Sequence, residues 1–296
     1  MRWIYLLLVM NLLAGDLCSQ PNNNTMQEKL TGLFNIPDSH IALAFKNLQT
    51  GETILINGKE NFHAASTMKV PVLIELYRQA AQGKFNLKDS IVIKNSFHSI
   101  ADGSEFKLDS TDDSETQLYR EIGQKRTLSS LAFNMIILSS NLATNLLIEL
   151  VKPESVMKTM KKIGVNDIKV LRGVEDGKAF QKGLNNTTTA ADLMLIYEKI
   201  AKGKMISNKA SREMINILLD QKFNEIIPAQ LPADVKVAHK TGSITGVQHD
   251  SGIIFLPDGR KYVLVLLSKF KPADEKKIIS ILSDASKAIF DYVNAL

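Results

Sequence analysis

The 296-residue sequence is 45% apolar and carries 36 basic against 31 acidic side chains, a formal net charge of +5. That length and apolar content suffice for one large domain or two closely packed ones, and exclude a disordered or fibrous chain. Aromatic residues make up only 6% and the lysines are scattered, so no arginine-aromatic stripe points to nucleic acid.

The chain starts with Met1-Arg2, an apolar run from Trp3 to Ala14, and a polar-to-small stretch ending at Ser19-Gln20. This is the pattern of a secretory signal peptide over residues 1–19, so the mature protein is expected in the periplasm or outside the cell. A membrane anchor is the alternative reading, but a span needs about 20 apolar residues and no second run of that length exists. Cys18 is the only cysteine and lies in the leader, where Asp16 and Leu17 argue against lipidation. The mature chain then has neither a disulfide nor a thiol nucleophile. Its removal takes away Arg2 with Asp16, so the charge stays at +5.

Residues 20–296 read as one folded unit. Met26 to Phe34 patterns as a short helix; His40 to Leu48 and Thr53 to Ile56 read as strands joined by the turn Gln49-Thr50-Gly51. From Ser66, Val70, Leu73, Ile74 and Tyr77 recur at helical spacing up to Gly83. Leu128 to Ile163 and Thr189 to Leu219 are helical, broken at Pro153 and Gly164. Lys236 to His239, Gly252 to Leu256 and Tyr262 to Ser268 read as strands, the last two joined by the hairpin signal Asp258-Gly259. A final helix follows Pro272. The expected fold class is α/β (α+β): a five-stranded antiparallel sheet from about 26–66 and 220–296, flanked by helices, with an all-α lobe inserted over about 67–219.

Ser66 and Lys69 are spaced to share the first turn of a helix, where a partly desolvated amine serves a serine as base. The same spacing recurs at Ser104/Lys107, Ser155/Lys158 and Ser268/Lys271, and alone it also describes a capped helix with a solvated lysine. Ser66 differs in context, because it follows a hairpin and opens a strongly apolar helix whose terminal amides favour an oxyanion. Ser139-Ser140-Asn141 opens another apolar helix, and alone would be a helix cap. Lys240-Thr241-Gly242-Ser243 ends a β-like run before a turn. Its glycine permits close approach to the strand edge, while lysine and the hydroxyls suit a carboxylate.

The three blocks in this order resemble the penicillin-recognising serine enzymes, and class A β-lactamases in particular, from about His40 to the C-terminus. The resemblance implies acylation of Ser66, proton transfer by Lys69, and protonation of the leaving nitrogen through Ser139. It also implies amide binding by Asn141, carboxylate binding by Lys240, Thr241 and Ser243, and an oxyanion hole from the amides of Ser66 and Ser243. Two departures stand out. Ser140 occupies a position where the family usually carries Asp, so altered loop bonding with retained acylation is expected. The family's water-activating glutamate is best matched by Glu175, one residue late after Arg172; Asp176, or no base at all, are the alternatives.

The stretch from Ser66 to Ser139 is longer than the family's, and Asp109, Asp112, Asp113 and Glu115 are expected in a solvated loop between Asp109 and Gln117. His63, His98, His239 and His249 fit no zinc spacing, so neither metal nor cofactor is expected. The leading reading is a monomeric β-lactamase acting on a small-molecule β-lactam. A D-alanyl-D-alanine peptidase working on cell-wall peptide, or a related amidase or esterase, comes second. A β-lactam sensor comes third.

Overall fold

The computed structural model describes residues 23–296, so the expected leader and Cys18 lie outside the described residues. Helix α1 (Asn23–Leu33) leads into β1 (His40–Asn47) and β2 (Thr53–Ile56). The C-terminal strands β3 (Lys236–Ile244), β4 (Val247–Phe255) and β5 (Lys261–Lys269) complete an antiparallel sheet in the order β2-β1-β5-β4-β3. The two ends of the chain therefore meet through β1 and β5, with Ala44 opposite Val265.

Both sheet faces are covered, which explains the near-continuous apolar strands. Period-2 alternation sends Ala42, Ala44, Val263, Val265 and Leu267 to one face and Ile41, Leu43, Phe45, Leu264 and Leu266 to the other. The second face packs on α1 and on α9 (Glu275–Ala295), whose Ile278, Leu282, Ala285, Ile289 and Val293 form a buried stripe at helical spacing. Burial of each large aliphatic side chain contributes about 1.5–3 kcal/mol, so a charge at Ile289 would break this layer.

The first face meets α7 (Ala190–Ala201) and α8 (Asn208–Leu219), and α2 (Lys69–Ala81), α3 (Leu128–Ile137), α4 (Asn141–Val151) and α5 (Pro153–Lys162) share the same buried core, with the short α6 (Gly177–Gln181) nearby in sequence. Breaks come where backbone chemistry requires them. Gly83 and Gly164 adopt left-handed φ of 74° and 86°, and Pro153 opens α5, where its missing N–H costs nothing.

Two differences from the sequence reading matter. The intervening region is not all helix, since Ser90–Val92 pairs with Lys125–Thr127 and Phe97–His98 with Glu105–Phe106. The strand expected to stop near His239 continues to Ile244, so Lys240-Thr241-Gly242-Ser243 forms the closing half of an edge strand, ahead of the turn at Thr245-Gly246, where a β-like run before a turn was expected.

Candidate active site

Ser66 sits in a single 3₁₀ turn, Ala65–Met68, that feeds directly into α2. The turn is tightly held: Ala65 takes φ 45°, its amide donates to His63 Nδ1 at 3.0 Å, and Thr67 Oγ1 donates to the Ala64 carbonyl at 2.6 Å. A left-handed alanine costs on the order of 1–3 kcal/mol, which the surrounding bonds offset while half-exposing Ser66. Gly242 of β3 backs this turn. A Cβ there would come within 3.2 Å of the Ser66 amide and 3.1 Å of Thr67 Cγ2, so glycine lets the strand approach a few tenths of an ångström closer than a side chain would.

Lys69 is fully buried. Its Nζ donates to Ser139 O at 2.5 Å, Ser139 Oγ at 3.1 Å and Asn141 Oδ1 at 2.9 Å, and no hydrogen bond joins it to Ser66 among the described residues. Burial pulls its pKa from 10.5 down to about 7, against the fields of Asp113 and Glu175, which raise it. At neutral pH the amine therefore exists in both charge states, as a general base requires.

Ser139, at φ 57°, also accepts from Lys240 Nζ at 3.0 Å, so one hydroxyl bridges two buried amines. Lys240 also donates to the Thr241 carbonyl at 2.9 Å. Burial and then the Lys69 charge hold its pKa well below the ordinary value, while Asp250 opposes them. Being fully buried, Lys240 does not line the cleft, so it reaches ligand through Ser139 or by its field, with Thr241 and Ser243 at the surface in its place. The Ser243 hydroxyl accepts from Gln248 Nε2 at 2.8 Å.

Glu175 is brought in by the segment between α5 and α6. Arg172 donates to the carbonyls of Leu184 and Gly173 and to Asn185 Oδ1, and Asn186 bonds the backbone of Leu171 and Arg172. Asn145 of α4 ties the segment down by exchanging two bonds with the Val174 backbone, at 2.7 and 3.0 Å. A Cβ on Gly173 would sit 2.2 Å from Asn145 Oδ1, which explains that glycine. Glu175, at φ 60°, accepts from Asn141 Nδ2 at 2.6 Å, and burial raises its pKa despite that bond. Asp176, the alternative base, is committed elsewhere: it accepts from Ser99 Oγ at 2.7 Å, Ile100 N at 2.9 Å and Ala179 N at 3.0 Å. Burial would raise its pKa, but these bonds and Arg172 bring it below the ordinary value.

The expected solvated loop is only partly solvated. Asp109 and Asp112 are exposed, whereas Asp113 and Glu115 are each 6% exposed. Asp113 Oδ2 accepts from the amides of Asn141 and Leu142 at 2.9 and 3.0 Å and from Tyr119 Oη at 2.9 Å. Ser140 caps the same helix start by accepting from Ala143 N at 3.2 Å. The altered bonding expected at Ser140 is thus a carboxylate delivered from the loop, a partnership across 28 residues with no local signal.

The histidines stay outside the chemistry. His239 is buried against Asp250 at 2.8 Å and Asn224 at 3.2 Å. His249 accepts from Ser268 N and donates to the His63 carbonyl, with burial lowering its pKa to about 4. Only His63 reaches the cleft. Ser104, Ser155 and Ser268 are absent from its lining. The cleft, of about 850 Å³, brings together Ser66, Ser139, Asn141, Glu175, Thr241 and Ser243, while Lys69, Lys240 and Gly242 stand behind them. Among the described residues no group of His, Cys, Asp and Glu is arranged to hold a metal.

The chain as a whole is similar to known proteins. The chain is 23% identical to the VEB-1 β-lactamase of Pseudomonas aeruginosa, over 97% of this chain and 96% of that one. It is 26% identical to a β-lactamase of Bacillus licheniformis over 87% and 80%. Among solved structures, a β-lactamase from Sphaerobacter thermophilus superposes with a TM-score of 0.79 at 25% identity, covering 93% of this chain and 99% of that one. PBP-A superposes at 0.78 and 23% identity, over 92% and 96%, and shares the fold. The family model described as "Beta-lactamase enzyme family" matches residues 25–293, and the chain belongs to that family.

Proposed function

We propose that this protein is an exported serine β-lactamase that opens the lactam amide through an acyl-enzyme on Ser66 and discharges it with water activated by Glu175. The observation that carries the reading is the placement of Glu175: a half-buried carboxylate of raised pKa, in the cleft with Ser66 and anchored on Asn141.

Acylation follows from the lysine pair. Neutral Lys69 takes the Ser66 proton as Oγ attacks the carbonyl, and the amides at Ser66 and Ser243 face the developing oxyanion. The leaving nitrogen takes its proton from Ser139 Oγ, which is replenished by the amines bonded to it at 3.1 and 3.0 Å. Lys240 supplies positive potential for the substrate carboxylate, whose oxygens meet Thr241 and Ser243. Glu175 then takes a proton from water as it attacks the ester, and that same proton passes on to Ser66 Oγ as it leaves, by way of Lys69, so that Glu175 ends charged and Lys69 neutral.

One observation favours the peptidase reading. Glu175 bonds neither Ser66 nor Lys69, and it occupies the Asn141 donor that a substrate carbonyl would use. Glu175→Gln separates the two readings. With a penicillin and intact-mass detection, a lactamase variant acylates and then accumulates the adduct, because the amide keeps the shape but accepts no proton. Wild type that stalls equally, unchanged by Glu175→Gln, would install the peptidase reading instead.

A further inference from the structure

We propose that Asp113 is a positioning residue of the active site: through the N-terminus of α4 it holds Asn141 and Ser139 against Lys69 and governs the working state of that lysine. The loop between Asp109 and Gln117 is thereby part of the catalytic apparatus, although none of its atoms bonds Lys69 or Ser66.

The chain of contacts is short and buried. Asp113 Oδ2 receives three hydrogen bonds, two of them from consecutive α4 amides, Asn141 N and Leu142 N. The first of those residues bonds Lys69 with one end of its side-chain amide and Glu175 with the other. Asp113 Oδ1 is turned inward by the Glu115 amide at 3.1 Å, so the carboxylate is fixed from both sides. Ser140 satisfies only the Ala143 amide, so the two amides it leaves at this helix start depend on Asp113, and the first of them belongs to Asn141 itself. The loop also reaches Glu175, through the Asp109 backbone.

The electrostatics agree with the geometry. Around Lys69 stand Asp113 and Glu175, which raise its pKa, and Lys240 is the cation facing it across Ser139. Around Glu175 stand Asp113 and Asp112, which raise its pKa. Asp113 itself faces Tyr119, whose phenol burial and the neighbouring carboxylates push up, and Glu115. One carboxylate thus acts on both bases: it favours the charged amine and disfavours the charged glutamate.

The test reads Lys69 without substrate, so it stands apart from the acyl-enzyme reading on which only its kinetic consequence rests. The 13Cε resonance of Lys69, assigned with Lys69→Met, is titrated in lysine-labelled wild type and Asp113→Asn. The asparagine oxygen keeps the amide cap while removing the charge. The Lys69 midpoint should fall by on the order of one pH unit, the low end for loss of a facing opposite charge. The acidic limb of Ser66 acylation, followed by adduct mass, should move to lower pH with it. Adding Ser140→Asp returns a carboxylate to the same helix start and should bring the midpoint back toward wild type; this double variant also serves if Asp113→Asn does not fold. A midpoint unmoved in folded Asp113→Asn, or a folded double variant far from wild type, would overturn the proposal. A wild type that never acylates, with a shifted midpoint in the variant, would count against the β-lactamase reading and leave Asp113 in place.

Discussion

Replacing Lys69 with methionine should stabilise the protein at neutral and acid pH while abolishing its chemistry, and the stabilisation should change sign in alkali. Lys69 is a fully buried amine whose pKa falls from 10.5 to about 7. At 1.36 kcal/mol per pH unit that drop corresponds to about 5 kcal/mol of penalty for holding the ammonium out of water. Below about pH 7 both folded and unfolded chains carry the proton, so the whole penalty is present. Between about 7 and 10.5 the unfolded chain binds the proton that the folded one has lost, so wild-type stability rises with pH and the penalty disappears. Methionine escapes it, but forfeits three hydrogen bonds, to Ser139 O, Ser139 Oγ and Asn141 Oδ1, at roughly 1 kcal/mol each. The balance favours the variant by about 2 kcal/mol at pH 6 and reverses at roughly pH 8.5. Urea unfolding of both proteins at several pH values between 6 and 10 measures this difference; groups remote from Lys69 cancel between them, and Lys240, which feels the Lys69 charge, is removed from the comparison by repeating it in Lys240→Met. A difference that stays flat with pH would show that Lys69 titrates near its ordinary value and is no base at pH 7.

The same geometry makes other outcomes specific. Gly242→Ala places a Cβ 3.2 Å from the Ser66 amide, so the strand must retreat and the acylation rate should fall more than tenfold with little loss of melting temperature. Gly173→Ala meets Asn145 Oδ1 at 2.2 Å and should release the Glu175 segment, slowing adduct discharge more than adduct formation in burst kinetics. Lys240→Ala should weaken carboxylate-bearing substrates far more than a neutral ester, and equal losses on both would remove its electrostatic role.

The parts of this account legible in the sequence are those encoded by local periodicity and spacing. The unbroken apolar run of Ile41 to Phe45 and the helical recurrence of Val70 to Tyr77 name their elements, because each lies in short range along the chain and is buried as a block. The pairing of Ser66 with Lys69 is local as well. The full length of β3 was obscured because Lys240, Gly242 and Ser243 have weak strand propensity; pairing with β4, with Gly242 opposite His249, keeps them extended. Asp113 and Glu115 read as solvated because their polar character is visible and their partners are not: the carboxylate of Asp113 is satisfied by amides that follow only after folding. Asn145 was missed for the same reason, since its value lies in the Val174 backbone, 29 residues away. Lys240, legible as a charge for a carboxylate, proves to be a buried amine that bonds Ser139, a difference that only tertiary burial creates.

The central claim is that Ser66 alone is acylated and that water then frees it. Incubating the purified protein with a penicillin, quenching at intervals, and mapping the mass increase by peptide digestion tests it directly. The account predicts a transient adduct on the peptide containing Ser66, lost in Ser66→Ala and released as ring-opened acid in repeated turnovers. An adduct on Ser104, Ser155 or Ser268, or one that survives Ser66→Ala, would contradict it.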